Sequence, residues 1–280
     1  MMKTDLPRRC LITGVSGGLG AAMAERAFAR GWQVFGTSRS QSVVDKFVAD
    51  GGELASGGAC DVTDPTSTDR IASQAAKAMG GIDLVINNAG YCLAGPFETL
   101  TPEQVQDEIS VNLIGTLNTC RSVLPHLHET GFGHILNISS LSGVISFPGM
   151  TLYTASKFAV TGFSEALAKE LAPHGIHVTA VAPGGLRTRF AGESLVMGKR
   201  DVAPYRNMVS AMKERFAASD GNQPNDPYKA AEAILSIADM EEPPFNAAIG
   251  VDAFDRVENA LEERQADFAS FRPYGENTGI

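Results

Sequence analysis

The sequence lacks the features that mark secreted, membrane-spanning or metal-binding proteins. Its four cysteines, Cys10, Cys60, Cys92 and Cys120, lie far apart and form no CxxC pair, which favours reduced core thiols over disulfides. No apolar run approaches the roughly 20 residues of a membrane span. The N-terminus enters a strand-like run without the apolar segment of a signal peptide. No spacing of His, Cys, Asp or Glu is typical of a metal site, so we expect a cytoplasmic protein without metal.

Positive charge is also scarce. The 280 residues include 23 Lys and Arg against 32 Asp and Glu, for a formal net charge of −9 at pH 7. A nucleic-acid footprint needs a basic face, so we expect no such partner. Hydrophobic residues make up 44% of the chain and charged residues 20%, which is ordinary for a globular protein. The length fits one large domain or two small ones with a sizeable core.

Short apolar runs alternate with helical patterns along the chain. The runs that we predict to be strands are 9–13, 33–37, 82–86, 134–138, 175–181 and 246–251, with a further strand in the glycine-rich stretch 51–59. This alternation predicts an α/β fold with a doubly wound parallel sheet. In such sheets, ligands bind at the carboxyl ends of the strands.

A glycine-rich turn follows the first predicted strand and opens a helix. Residues 13–20 are TGVSGGLG, with glycines at 14, 18 and 20. Glycine lets the backbone approach a pyrophosphate, and a helix N-terminus offers free N–H groups and a positive dipole. The GxxxGxG spacing differs from GxGxxG, and a tight connection without a ligand is the alternative. The strand–turn–helix context favours a dinucleotide site.

The end of the second predicted strand lacks a carboxylate. In dinucleotide folds an acidic residue at this place binds the ribose 2′-hydroxyl, whereas Arg suits a 2′-phosphate. This chain has Ser38 and Arg39 there. The pair predicts NADP(H) rather than NAD(H); a solvated surface Arg is the alternative.

Three residues suggest acid–base chemistry. Tyr153 and Lys157 lie one helical turn apart, and Ser140 follows the strand 134–138. An ammonium beside a phenol favours the phenolate, so we expect Lys157 to lower the pKa of Tyr153 toward a usable range. Ser140 could donate to a substrate carbonyl oxygen while Tyr153 protonates it. The alternatives are a chance YxxxK spacing and an ordinary serine cap.

Two segments lie beyond the strand 175–181. From about 190 to 226 the periodicity is weak and apolar side chains are scattered, among them Phe190, Met197, Met208, Met212 and Phe216. This pattern predicts a lid over a hydrophobic substrate, with a pair of surface helices as the alternative. The stretch from about 253 to 280 predicts an amphipathic helix that packs on the domain or on another subunit. Its apolar positions are Phe254, Val257, Leu261 and Phe268.

Over residues 8–252, the chain resembles the short-chain dehydrogenase/reductase family of the single-domain type. The motifs are TGxxxGxG at 13–20, Asp61-Val62, Asn87-Asn88-Ala89-Gly90, Asn112, Ser140, Tyr153-xxx-Lys157, and Pro183-Gly184 with Thr188. The resemblance implies one domain over 1–280 and a Rossmann-like sheet of about seven strands in the order 3-2-1-4-5-6-7, with helices on both faces. It also implies an oxidoreductase that interconverts a ketone or aldehyde and an alcohol.

The resemblance further implies a role for each matched residue. Tyr153 would be the general acid or base, Lys157 would lower its pKa and bond the nicotinamide ribose, and Ser140 would polarise the carbonyl. Asn112 would hold a water in the proton relay. The implied cofactor contacts are Gly14, Ser16, Gly17, Gly18, Leu19, Gly20, Ser38, Arg39, Asp61, Val62, Asn88, Ala89, Gly90, Tyr153, Lys157, Pro183, Gly184 and Thr188.

One position departs from the family pattern. Many NADP-preferring members carry a basic residue just before the second glycine of the turn, where this chain has Gly17. NAD(H) or dual specificity therefore stays open, as does a non-catalytic nucleotide sensor. The tail after Asp252 resembles the hydroxysteroid- and retinol-dehydrogenase-like branch. Relatives pair through the helices matching 101–127 and 153–171, which implies a homodimer or homotetramer. The expected partner is a small-molecule carbonyl or alcohol substrate that is apolar and fairly bulky.

Overall fold

The computed structural model describes residues 8–188 and 194–278. Its strands are β1 (Arg9–Thr13), β2 (Gln33–Ser38), β3 (Ala55–Ala59), β4 (Leu84–Asn87), β5 (Cys92–Ala94), β6 (Gly133–Ile138), β7 (Ile176–Pro183), β8 (Leu195–Met197) and β9 (Asn246–Ile249). Seven of them form a parallel sheet in the order β3-β2-β1-β4-β6-β7-β9. Counted within that sheet alone, this is the predicted order, which is confirmed. The sequence did not predict the separate parallel pair of β5 and β8.

Helices cover both faces of the sheet. They are α1 (Gly18–Ala29), α2 (Gln41–Gly51), α3 (Pro65–Met79), α4 (Pro102–Ile109), α5 (Gly115–Thr130), α6 (Thr151–Leu171), α7 (Arg206–Ser219), α8 (Pro227–Ile237) and α9 (Phe254–Gly275). Side chains alternate between faces along a strand. Cys10 and Ile12 of β1 therefore join the apolar cluster under α1 and α8, whereas Leu11 joins the cluster under α3, α5 and α6. Burial on both faces explains the continuous apolar runs.

The helix predicted from Thr101 to about Leu127 is interrupted. A capping box of Thr101 and Gln104 begins α4, but the five residues Ser110–Ile114 form a π-helical turn before α5 starts. Such turns disturb the regular ladder and often occur at functional sites. Here the turn contains Asn112, whose side-chain amide hydrogen-bonds with the backbone of Tyr91 in the loop after β4. Side-chain periodicity does not reveal this insertion.

The two segments after β7 both contain regular structure. Phe190 of the predicted lid lies outside the described residues, and from 194 onward that segment contains β8 and α7, which differs from the alternative of two surface helices. The lid itself stays a prediction. The helix predicted near the C-terminus is present as α9. Its apolar side chains do not pack on the domain, since Leu261 is 50% and Phe268 75% exposed. No helix within the described ranges combines the length and apolarity needed to cross a membrane.

The burial of His134 on β6 predicts that acid destabilises the fold. Burial lowers its pKa from 6.5 to about 3. The Thr179 hydroxyl donates to Pro244 O, so its oxygen accepts from His134 Nε2 at 3.0 Å. As the pH falls from 6.5 to 3, the unfolded chain binds a proton at His134 that the folded chain does not bind, so the free energy of unfolding decreases. His134 accounts for roughly 4 kcal/mol of this decrease near pH 3.

Urea unfolding at stepped pH measures this loss. His134→Gln should flatten the acid slope of the unfolding free energy, whereas His174→Gln, at an exposed position, should leave it unchanged. Equal acid slopes for wild type and His134→Gln would show that other groups control acid stability.

Candidate functional site

One cleft of about 1650 Å³ contains almost every predicted site residue. It lies at the carboxyl ends of the sheet strands, where parallel sheets bind ligands. All of the predicted cofactor contacts line it, and so do Ser140, Tyr153 and Lys157. Asn112 is the exception, since it lies behind the wall with 1% exposure. Within the described ranges, no three His, Cys, Asp or Glu side chains gather as metal ligands would.

The glycine-rich turn forms one end of the cleft. Gly14 and Gly18 have φ angles of +79° and +57°, which favour glycine. A Cβ on Gly20 would lie 2.0 Å from Gly14 O, so the turn closes on itself only because position 20 has no side chain. The N-cap of α1 is Gly17, which has no side chain to cap the first N–H groups. These free N–H groups and the helix dipole fit a phosphate group.

Asn88 fastens this turn to the end of β4. The Thr13 hydroxyl accepts from the N–H groups of Asn88 and Ala89 at 3.0 and 3.1 Å. The Asn88 side-chain amide donates to Gly14 O at 2.9 Å and to Thr13 O at 3.1 Å. These bonds tie the end of β4 to the glycine-rich turn. Because the side-chain amide of Asn88 donates to these two carbonyl oxygens, Asn88 contributes to the cleft by fixing the shape of the turn.

Arg39 and Asp61 stand at the mouth of the same end. Arg39 is exposed, and its guanidinium makes no hydrogen bond to a residue that the structure describes. Asp61 accepts from the Thr63 N–H at 2.9 Å and the Thr63 hydroxyl at 2.8 Å. These bonds, with a smaller effect of Arg39, lower the pKa of Asp61. Nearby, Thr188 faces the turn at 3.6 Å from a Cβ built on Gly18.

Ser140 connects the sheet to the catalytic candidates. It follows β6 directly, and its Oγ accepts from the Ser142 N–H at 3.1 Å, capping a short 3₁₀ turn. The same hydroxyl interacts with the phenol of Tyr153 and opposes the rise in its pKa. Ser140 is therefore a cap, and its role toward a substrate carbonyl stays a prediction.

The expectation that Lys157 lowers the pKa of Tyr153 is wrong for this structure. Burial raises the pKa of Tyr153, and the interaction with the Ser140 hydroxyl acts in the opposite direction. Lys157 donates to Ile138 O at 2.8 Å, and its Nζ lies 5.8 Å from the Tyr153 ring centroid. Burial also lowers the pKa of Lys157 to about 8. Desolvation, which the YxxxK spacing does not reveal, dominates both groups.

Asn112 and Glu108 lie behind this trio. The Asn112 amide accepts from Tyr91 N at 3.0 Å and donates to Tyr91 O at 2.9 Å, so it clamps the loop after β4 as a buried structural Asn would. Its part in a water relay stays a prediction. The sequence did not point to Glu108, whose side chain the fold buries completely. Its spacing of four residues from Asn112, which places both on one helix face, is the signal that could have found it.

The other end of the cleft is apolar. Tyr153, Cys92 and Ala94 form one cluster with Met150, Leu195, Met197, Met208, Met212 and Phe216. The β5–β8 pair brings residue 194 onward to the loop after β4. Gln104 reinforces this contact by donating to Met197 O at 3.0 Å and accepting from the Lys199 N–H at 3.1 Å. Tyr153 therefore lies between a polar, glycine-lined half and a methionine-rich half.

Comparison with known proteins gives a consistent result. The sequence pattern of the short chain dehydrogenase family matches residues 8–196. An oxidoreductase of Botryotinia fuckeliana is 36% identical over 265 residues, which cover 93% of this chain and 95% of the relative. The 3-ketodihydrosphingosine reductase of Bacteroides thetaiotaomicron is 34% identical over 254 residues, 87% of this chain and 88% of the relative.

Solved structures agree with these matches. A short-chain dehydrogenase from Streptomyces avermitilis superposes with a TM-score of 0.88 and 34% identity, covering 97% of this chain and 100% of that chain. Structures that share the fold at lower identity were obtained with NADP in some cases and with NAD in others.

Proposed function

Because the chain belongs to the short-chain dehydrogenase family of oxidoreductases, we propose that it interconverts a ketone or aldehyde and an alcohol with NADP(H) as its cofactor. The observation that carries this proposal is that Ser140, Tyr153 and Lys157 all line the cleft that begins at the glycine-rich turn. Oxidation of NADPH with a panel of ketones tests the proposal. Saturable, ketone-dependent turnover is expected, and none with any ketone of the panel would contradict it.

The chain's own residues would handle the proton. A bound nicotinamide cofactor supplies or accepts the hydride. In reduction, the Ser140 hydroxyl would donate to the carbonyl oxygen and Tyr153 would protonate that oxygen as negative charge develops on it. Lys157 would bond the nicotinamide ribose of the cofactor when it is bound. In alcohol oxidation the same groups act in reverse.

The apolar half of the cleft supports a bulky, apolar substrate. Met150, Leu195 and Phe216 line the cleft, and methionines adapt to irregular apolar shapes. We propose that residues from about 190 to 226 form a lid over this substrate. One curated relative is a reductase of a 3-ketodihydrosphingosine, which fits a long-chain ketone. Across the ketone panel, kcat/KM should rise with chain length; equal values for short polar and long apolar ketones would argue against this substrate class.

Arg39 supports the choice of NADP(H) over NAD(H). Its guanidinium stands exposed at the mouth of the cofactor end, where it could bind a 2′-phosphate through two parallel hydrogen bonds. Arg39→Asp should lower the NADPH/NADH ratio of kcat/KM by about 100-fold, because it replaces an attractive charge with a repulsive one.

A matched variant controls for the change of charge. Lys77→Asp reverses an exposed charge in the last turn of α3, and helices of a doubly wound fold end at the edge away from the ligand. It should leave the NADPH/NADH ratio unchanged. An unchanged ratio in Arg39→Asp would instead show that Arg39 takes no part in the choice of cofactor.

A further inference from the structure

Glu108 is a buried carboxylate that the proposed reaction does not use. It lies near the end of α4 with 0% exposure. Its Oε1 accepts from the Leu93 N–H at 2.9 Å, with the Asn112 amide at 3.4 Å. Its Oε2 has no hydrogen-bond partner among the described residues. A carboxylate oxygen buried without a partner is costly, so its position next to the site needs a reason.

Titratable groups from two packed elements face this carboxylate. From α6, Lys157 and Tyr153 interact with its charge, and from β5 and the loop before it Cys92 and Tyr91 do the same. The charge of Glu108 raises the pKa of Lys157 and also that of Tyr153. Burial in turn raises the pKa of Glu108 to about 7, with the Leu93 amide and Lys157 acting in the opposite direction. Lys157 is the cation among these groups. A Cβ built on Gly90 would lie 2.9 Å from Asn112 Oδ1 and 3.7 Å from Lys157 Nζ, so the ammonium and the amide that contacts Glu108 border the same small space.

We propose that Glu108 is a positioning residue for the reaction: its buried carboxylate holds the Leu93 amide behind Tyr153 and, through its charge, keeps the Lys157 ammonium protonated. Because no described donor bonds Oε2, the negative charge of Glu108 is left to act on the site rather than to stabilise the fold. This inference rests on the proposed function for its kinetic consequence. The carboxylate itself can be examined without turnover.

Glu108→Gln separates the two parts of the proposal. Gln keeps an oxygen to accept from the Leu93 N–H and removes only the charge. Without that charge the pKa values of Lys157 and Tyr153 both fall, so the proton donor is lost at lower pH. The alkaline limb of kcat/KM for ketone reduction should move down by about one pH unit. A merely structural role for Glu108 would leave the limb in place.

Two further variants make the kinetic test specific. Glu108→Asp keeps the charge and should restore the limb to within a few tenths of a pH unit of wild type. Glu103→Gln removes an exposed carboxylate from the same helix and should not move it. A Glu108→Gln profile that superimposes on wild type would overturn the proposal.

A titration of the cofactor-free protein decides the matter even if the Gln variant fails to fold. With ¹³C-labelled glutamate, the carboxyl resonance that disappears in Glu108→Asp identifies Glu108. It should report an ionised carboxylate above pH 8, where the Lys157 ammonium titrates. A Glu108 carboxyl that stays protonated above pH 8 would overturn the proposal. If wild type lacks ketone reduction altogether, the proposed function fails and this titration still tests the buried charge.

Discussion

Tyr153→Phe should lower kcat for ketone reduction by about 1000-fold, since a positioned general acid contributes roughly 100- to 10,000-fold. The phenol lies buried in the cleft, which Ser140 also lines. Phe keeps the ring in place and removes the hydroxyl that is proposed to pass a proton to the substrate oxygen. NADPH affinity should stay within about threefold of wild type, because the glycine-rich turn and Arg39 are untouched.

Stopped-flow oxidation of NADPH measures the chemical step, and quenching of protein fluorescence measures NADPH affinity. Tyr228→Phe removes a phenol that is 39% exposed on α8 and should react at the wild-type rate. Equal rates for Tyr153→Phe and wild type would remove Tyr153 from the chemistry and, with it, the proposed mechanism.

Gly20→Ala should abolish cofactor binding, with NADPH affinity reduced by more than about 100-fold. The new Cβ would lie 2.0 Å from Gly14 O and 2.5 Å from Asn88 Nδ2, and the first of these atoms is backbone. The turn must open to accommodate the methyl group, which breaks the bond from Asn88 to Gly14 O. The phosphate site at the N-terminus of α1 is displaced with it, and overpacking adds a loss of stability of about 1–3 kcal/mol.

Gly162→Ala is the matched control. Gly162 lies in α6, and a Cβ there meets no atom within 4 Å. Alanine should leave NADPH affinity unchanged and raise the unfolding free energy by up to about 1 kcal/mol, because it favours the helix. Isothermal titration of NADPH and thermal unfolding of both variants make the comparison. Wild-type affinity in Gly20→Ala would show that the turn does not hold the cofactor.

The sequence predicted the main sheet because its signals are local. Strands such as β6 are buried along their whole length and consist mainly of apolar residues, and the glycines of the first turn are required by backbone conformation at 14 and 18. The match to the family is likewise spread over motifs in a fixed order. Its finer implications, including the hydroxysteroid-like branch and the oligomer, stay predictions.

The features that the sequence did not predict depend on tertiary neighbours. β5 and β8 have three residues each and form only because the chain from 194 onward returns to the loop after β4. The pKa of Tyr153 follows from how deeply the fold buries it, whereas the YxxxK spacing gives only its distance from Lys157. Apolar positions on α9 indicate a helix, but they do not show that its side chains face solvent.

Transfer of deuterium from NADPH tests the central claim most directly. The protein is incubated with a long-chain ketone and NADPH that carries two deuterium atoms at nicotinamide C4, and the product alcohol is analysed by mass spectrometry. One deuterium per molecule, bound to the carbinol carbon, is the predicted result. If the protein binds NADPH and no deuterium enters any product across the ketone panel, the chain is a nucleotide sensor rather than a reductase.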